Sequence, residues 1–177
     1  MKAQKGRGYS LVELLIAIAI LTLIAAIATP AFTNNDEATL ERAAIEVASA
    51  IRFAHSEAIR TGVPHGVYAK QSNQQIRIYR LPDGTPIYDI YDPLTKQLYE
   101  LSFSTAGSGV TIDSVYFKFK GIFSARDYLG FSGGTGLPKY NDSGTIRMLQ
   151  TAYVRLDHNG IQKTIDISPM TGRVTVQ

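Results

Sequence analysis

One carboxylate, Glu13, stands inside an apolar run that extends from Leu11 to Ala28. A charged side chain within a membrane-length apolar segment costs roughly 2.5–3.5 kcal/mol at the helix centre on insertion scales, and less near a helix end. Such a residue calls for a cationic partner, because pairing offsets the loss of hydration. The run is 28 − 11 + 1 = 18 residues long, interrupted by Glu13 and Thr22. Extended to Phe32 it is long enough to cross a bilayer, which takes about 20 residues. A basic leader with Lys2, Lys5 and Arg7 precedes it and ends at Gly8. A Sec signal peptide would have an apolar core of about 7–15 residues followed by a small-residue cleavage site. Here the run is longer, and Pro30-Ala31-Phe32 is a poor small-x-small site. A plain membrane anchor leaves Glu13 unexplained. Cleavage ahead of the run, between Gly8 and Tyr9, keeps the apolar segment in the mature chain and leaves an α-amino group on Tyr9.

The other side chains capable of chemistry form no constellation. His55 falls on an amphipathic helical pattern, and His65 and His158 fall in expected loops. None of them shares the spacing of a two-histidine helical metal pair, so structural or surface roles are expected. Asp83, Asp89, Asp92 and Asp142 could gather around Ca²⁺, but their spacing is not that of an EF-hand loop, and no metal or other cofactor is expected. Ser, His and Asp are present without a G-x-S-x-G elbow, which leaves a membrane-anchored periplasmic hydrolase without catalytic residues. The Gly-rich stretch Phe131 to Pro138 follows no strand-to-helix pattern and reads as a loop between strands, not a phosphate cradle. The absence of cysteine excludes thiolate nucleophiles, zinc–thiolate centres and disulfides.

The chain has 177 residues and formal charge +3. Eighteen basic residues less the leader's three leave fifteen, against fifteen acidic ones, so the chain from Tyr9 onward is formally neutral. Nucleic-acid binding normally needs a basic patch or stripe, and is not expected on this count. The leader charges hold the N-terminus on the cytoplasmic side of a membrane and place the remainder outside it. Without the apolar run roughly 140 residues remain, enough for one domain.

The elements that must carry these residues follow from periodicity. Leu40, Ala44, Val47, Ile51, Ala54 and Ala58 recur in steps of four and three and mark one face of a helix. Gly62 suits the C′ position and Pro64 blocks continuation. The helix is expected from Tyr9 to Thr61, about 80 Å at 1.5 Å per residue. Pro30 is expected to kink it, and Asn34-Asn35-Asp36 is a second loosened point. From Gly66 the pattern changes to short β-branched and aromatic segments. The expected strands are Gly66–Lys70, Gln75–Leu81, Gln97–Ser104, Val110–Lys120, Gly144–Leu149, Ala152–Asp157, Gln162–Ile167 and Arg173–Val176. Asn159-Gly160 is a two-residue hairpin signal, and Asp83-Gly84 a weaker one. The fold class is α+β, with a long N-terminal helix packed on an antiparallel sheet. The expected segments are a leader, 1–8; a membrane or filament-core helix, 9–32; its amphipathic continuation, 33–62; and a β-rich domain, 63–177.

The residues Gly8-Tyr9-Ser10-Leu11-Val12-Glu13-Leu14-Leu15 resemble the class III leader of type IV pilins and type II secretion pseudopilins. The resemblance implies cleavage after Gly8 by a prepilin peptidase, N-methylation of Tyr9, and an assembly role for Glu13. There its carboxylate would pair with the α-amino group of a neighbouring subunit's Tyr9. The family usually has phenylalanine directly after the cut, where this chain has tyrosine. Some pseudopilins bind Ca²⁺, and many pilins close a C-terminal loop with a disulfide, which this chain cannot form. Phe131 through Gly136-Leu137-Pro138, Gly144-Thr145-Ile146, Ile165-Asp166-Ile167-Ser168 and Gly172-Arg173-Val174 resemble the GspH/FimT minor pseudopilins. Residues 71–109 match nothing recognisable.

The resemblance implies a non-enzymatic minor pseudopilin of the bacterial inner membrane, single-pass, with its C-terminal domain in the periplasm. Its partners would be other pseudopilins in a short filament of a type II secretion system. The alternative is a FimT-like minor pilin of a type IV pilus, used in pilus priming or DNA uptake. DNA-binding FimT-type members resemble this chain at Arg173 but carry a second arginine two residues later, where this chain has Thr175.

Overall fold

The computed structural model describes residues 10–33, 35–103 and 109–177, with the backbone alone for 25–33 and 35. The chain folds as two compact units, with the boundary in sequence between Asn35 and Asp36. The first contains helix α1, Leu11–Thr33, and helix α2 begins at Asn35 and ends at Thr61. Helix is maintained through Pro30. Gly8, Tyr9 and Asn34 lie outside the described residues.

The second unit is built on the amphipathic face of α2. Leu40, Ala44, Val47, Ile51, Ala54 and Ala58 are all fully buried, as their spacing requires. Gly62 has a φ of 71°, the left-handed C′ conformation that ends the helix. The last turn is finished by another segment: the Gly134 N–H donates to the Ala58 carbonyl at 2.9 Å.

Among the described residues, the cover for this face is a nine-stranded antiparallel sheet. Its strands are β1 (His65–Lys70), β2 (Gln75–Arg80), β3 (Glu100–Ser102), β4 (Thr111–Phe119), β5 (Tyr128–Phe131), β6 (Pro138–Asp142), β7 (Thr145–His158), β8 (Ile161–Ile167) and β9 (Val174–Val176). The order is β3-β2-β1-β5-β6-β7-β8-β9, with β4 paired to β7 off this path. Phe117, Phe119, Leu129, Phe131, Val154 and Ile165 point into the core and are fully buried.

Several expectations need correction. Gly144–Leu149 and Ala152–Asp157 are not two strands but parts of the single strand β7. Phe119 pairs with Leu149 and Lys118 with Thr151, so Gln150 is an extra residue, a β-bulge. Leu149 and Ala152 are therefore both buried although three residues apart, while Gln150 and Thr151 are exposed. The break in period 2 looks like a chain break in the sequence. Strands β5 and β6 were not expected. β3 covers only Glu100–Ser102 of the longer Gln97–Ser104. His65 and His158 are not loop residues: they begin β1 and end β7, and both are buried. The Asn159-Gly160 turn is a hairpin with φ of 54° and 84°, as its residue types demand.

Residues 71–103 form an arm on β1. It contains β2 and β3, joined by an excursion with isolated bridges Arg80–Ile87 and Tyr91–Leu98. An Arg80–Asp89 ion pair holds the excursion, Nε to Oδ1 at 2.7 Å. Its Tyr88 packs edge-on to Tyr68 and Tyr79 beneath the Arg77 guanidinium, which lies 4.3 Å from the ring centroid. Tyr79 is opposite Gly66 in the ladder, and Gly66 is opposite Gly130. A Cβ at Gly66 would strike the Tyr79 hydroxyl and the Leu129 carbonyl, so glycine is what allows the ring to lie across the strands.

Residues 36–177, released from the N-terminal segment, should be soluble and folded, with Ile51 at the centre of the buried face. Ile51→Asp places an unpaired charge in that core and should cost about 4 kcal/mol or more. Circular dichroism melting checks this, and an unchanged melting temperature would show that the face is not buried.

Candidate assembly site

Helix α1 begins with a cap. Ser10 Oγ accepts from the Val12 N–H at 3.3 Å, and the Ser10 carbonyl accepts from the N–H groups of Glu13 at 3.0 Å and Leu14 at 3.2 Å. Ser10 and Glu13 therefore stand at the N-cap and N3 positions of a Ser-x-x-Glu capping sequence. Sequence reasoning missed Ser10, although that spacing was the available signal. The helix N-terminus also favours a nearby negative charge. Glu13 is exposed on the first turn, where its carboxylate is open to a cation.

The rest of α1 offers no polar face. Every large apolar side chain from Leu11 to Ile24 is more than half exposed. A helix that is apolar all round needs cover from lipid or from other helices. Among the described residues no helix is long and apolar enough to cross a membrane.

In the second unit, His55 of α2 is where separate segments meet. Its ring packs edge-on to Phe131, with centroids 5.1 Å apart. A Cβ at Gly136 would come within 2.5 Å of its Nε2, and one at Gly172 within 3.0 Å. Both glycines have positive φ, 67° and 69°. The β5–β6 and β8–β9 loops can thus close on His55 only because they carry glycine at these two positions. Burial lowers the His55 pKa, outweighing its hydrogen bond with the Gly136 backbone. At the other end of α2, Asp36 accepts from Asn159 Nδ2 at 3.0 Å and lies 3.2 Å from His158 Nε2. The Asn159 amide, with His158 behind it, holds the Asp36 carboxyl below its usual value.

Arg173 is exposed immediately before β9. Its neighbour on the same face, Thr175, is paired with Asp166, so a carboxylate sits beside the position where a second arginine would stand. The four aspartates considered for Ca²⁺ are used separately. Asp89 pairs with Arg80, Asp92 accepts from the Leu94 N–H at 2.7 Å, and Asp142 lies 3.9 Å from Arg147, while Asp83 is exposed. Among the described residues no group of three or more His, Cys, Asp or Glu could hold a metal. A cleft of about 680 Å³ opens between the 81–86 loop and the β6–β7 hairpin, and its lining contains no histidine or carboxylate.

Residues 3–29 match the family model of the prokaryotic N-terminal methylation motif. The fold is similar to that of the minor pseudopilin EpsH from the type 2 secretion system of Vibrio cholerae. The TM-score is 0.51 at 13% identity, over 78% of this chain and 95% of that one. The chain is also similar to the type IV minor pilin FimU of Pseudomonas aeruginosa, with a TM-score of 0.47 at 21% identity, over 82% and 92%. Among curated proteins none matches. The fold is pilin-like: a helix packed on a curled antiparallel sheet.

Both depressed pKa values make the folded second unit less stable in acid. The unfolded chain takes up a proton at His55 near the ordinary value of about 6.5, before the folded chain can. The His55 contribution is therefore complete above that pH and is lost as pH falls below it. The Asp36 contribution is lost further down, below about 3.9. The melting temperature should fall from pH 7 to pH 5, and His55→Gln should flatten this part of the curve. Asp36→Asn should flatten only the part below about pH 4.

Proposed function

We propose that the chain is a minor pseudopilin of the GspH/FimT kind, a non-enzymatic subunit of the short periplasmic filament of a type II secretion system. The observation that carries this reading is a combination. A methylation-motif match spans Gly8, Tyr9 and Glu13, and it is joined to a fold similar to that of a minor pseudopilin. On this reading residues 1–8 are a leader removed by a prepilin peptidase, and Tyr9 becomes the N-methylated terminus. Residues 9–32 serve as the inner-membrane and filament-core helix, with a kink at Pro30. Residues 33–62 continue the helix and residues 63–177 form the periplasmic β-rich domain. The exposed, all-round apolar surface of α1 supports packing against other pilin-like helices. Glu13 supplies register, because its carboxylate pairs with the α-amino group of a neighbouring subunit's Tyr9 and an unpaired charge there is costly. The FimT-like DNA-uptake alternative ranks second, since Asp166 beside Thr175 opposes phosphate at the Arg173 end of β9.

The test has two parts. Mass spectrometry of the membrane-extracted protein should give a chain that begins at Tyr9; a start at Met1 or beyond Pro30 would sink the reading. Glu13→Ala should leave insertion and cleavage intact, since it removes a charge from an apolar run. It should nevertheless reduce crosslinking to partner pilins about tenfold or more, equivalent to the loss of roughly 1.4 kcal/mol of pairing. Wild-type crosslinking yields would refute the pairing role.

A further inference from the structure

The sheet of the second unit has an outer face, and the register shows which side chains share it. Leu129 and Phe131 of β5 are fully buried, so Tyr128 and Gly130, which alternate with them, face away from the core. Gly130 is paired with Lys139, and directly paired residues lie on one face. Asn141, two residues beyond Lys139, and its own partner Ile146 therefore face outward as well. Both are exposed. The row Tyr79, Gly66, Gly130, Lys139 crosses β2, β1, β5 and β6, and it dips where Gly130 has no side chain. A Cβ there would meet the Tyr79 hydroxyl at 3.4 Å.

The cleft of about 680 Å³ lies on this face. Tyr128, Lys139, Asn141 and Ile146 line it from the sheet, and Pro82 and Pro86 line it from the 81–86 loop. The loop is braced at both ends. Arg80 and Ile87 exchange backbone bonds of 3.0 and 2.9 Å, and the Leu81 N–H donates to the Pro64 carbonyl at 2.8 Å. The cleft is thus preformed, which lowers the ordering cost of binding, and its size falls within the roughly 300–1,000 Å³ of ligand pockets. The polar side chains that reach it from the strands are donors. Among the described residues Lys139 forms no ion pair. Asn141 Oδ1 already accepts from the Gly144 N–H at 2.9 Å, which leaves its amide N–H groups to donate. The Tyr88 hydroxyl donates to that of Tyr128 at 3.2 Å, so the Tyr128 proton remains for another acceptor. Asp83 of the loop lies outside the lining.

We propose that this cleft binds a proline-rich peptide segment that carries a carboxylate. Proline has no N–H, so such a segment presents carbonyl acceptors with few donors of its own, in an extended helix that is already ordered. The cleft offers the complement: donors from Lys139, Asn141 and Tyr128, and apolar surface from tyrosine, isoleucine and proline side chains. Grooves lined by aromatic residues recognise polyproline segments in this way. The carboxylate pairs with Lys139, which has no carboxylate beside it in the lining. The proposal is independent of the filament reading, since none of these residues lies on α1 or α2.

The test is fluorescence anisotropy of a dye-labelled peptide of Pro-Pro-Glu repeats, added to the full chain in detergent micelles, with empty micelles as the blank. The peptide should bind saturably, and a Gly-Ser-Glu peptide of equal length and charge should not. Lys139→Ala should weaken binding about fivefold at low salt, the upper end for a partly exposed ion pair. Added salt should diminish this difference. Lys139→Glu should transfer the preference to Pro-Pro-Lys repeats. Ile146→Asp, at an exposed position, should also weaken Pro-Pro-Glu binding while leaving the melting temperature unchanged. No binding of the Pro-Pro-Glu peptide, or equal binding of the Gly-Ser-Glu peptide, would overturn the proposal. Binding indifferent to both Lys139→Glu and Ile146→Asp would overturn it too, by placing the peptide elsewhere. Displacement of the peptide by a short single-stranded oligonucleotide at physiological salt would overturn the peptide assignment in favour of nucleic acid.

Discussion

The apolar stripe of α2 is the constraint on which the second unit depends. Burying a side chain the size of Leu40 or Ile51 is worth roughly 1.5–3 kcal/mol, and the stripe repeats along most of the helix. No helix of this kind is stable in water without cover, so the sheet must curl along it. Polar ties then fix where the cover sits: Asp36 to the β7–β8 turn, Glu41 to Lys163 of β8, and Arg52 to the Val174 carbonyl of β9 at 3.1 Å. The fourth tie, Gly134 to Ala58, closes the helix end. These contacts are distributed along α2 and are individually modest. Together they select one placement of the sheet from those that the hydrophobic effect alone would permit.

Glycine determines how close the loops can come. The residues from Phe131 to Pro138 and from Ile165 to Val174 look like unrelated loop signals in the sequence. In space Phe131, Gly136 and Gly172 meet at the ring of His55. Gly133 adds a second close approach, because a Cβ there would strike the Gly62 carbonyl at the end of α2. A pattern that resembled a family only through scattered short matches is thus one packing arrangement, seen from several points of the chain.

The helical half was legible because its period is long and its terminators are specific. All six residues of the expected face are buried, and Gly62 adopts the left-handed conformation expected of it. The strands were less legible where the ladder is irregular. β7 was divided at Gln150, because a bulge shifts the inward positions by one residue and a period-2 reading ends there. β5 and β6 escaped notice because Gly130 and Pro138 read as loop residues. A Cβ at Gly130 would press on the Lys139 carbonyl and meet the Tyr79 hydroxyl, and Pro138 stands at the first position of its strand, where proline is tolerated. At the candidate site, Glu13 was conspicuous as a charge in an apolar run. Ser10 was not, since a cap is a local hydrogen-bonding role that hydropathy does not register.

The two helices state opposite requirements in neighbouring residues. α2 is apolar on one side, and its own chain supplies the cover. α1 is apolar on every side, and its described side chains from Leu11 to Ile24 are exposed. A helix apolar on all sides needs cover from lipid or from other helices, whereas an amphipathic one needs it on a single face. The need is also selective. Lipid can cover the leucines and isoleucines of α1 without discrimination, but it cannot satisfy Glu13. A carboxylate at the capped start of an otherwise apolar helix accepts far fewer partners than the helix itself does. The apolar residues thus govern whether the segment leaves water, and the single charge governs what it can stand beside.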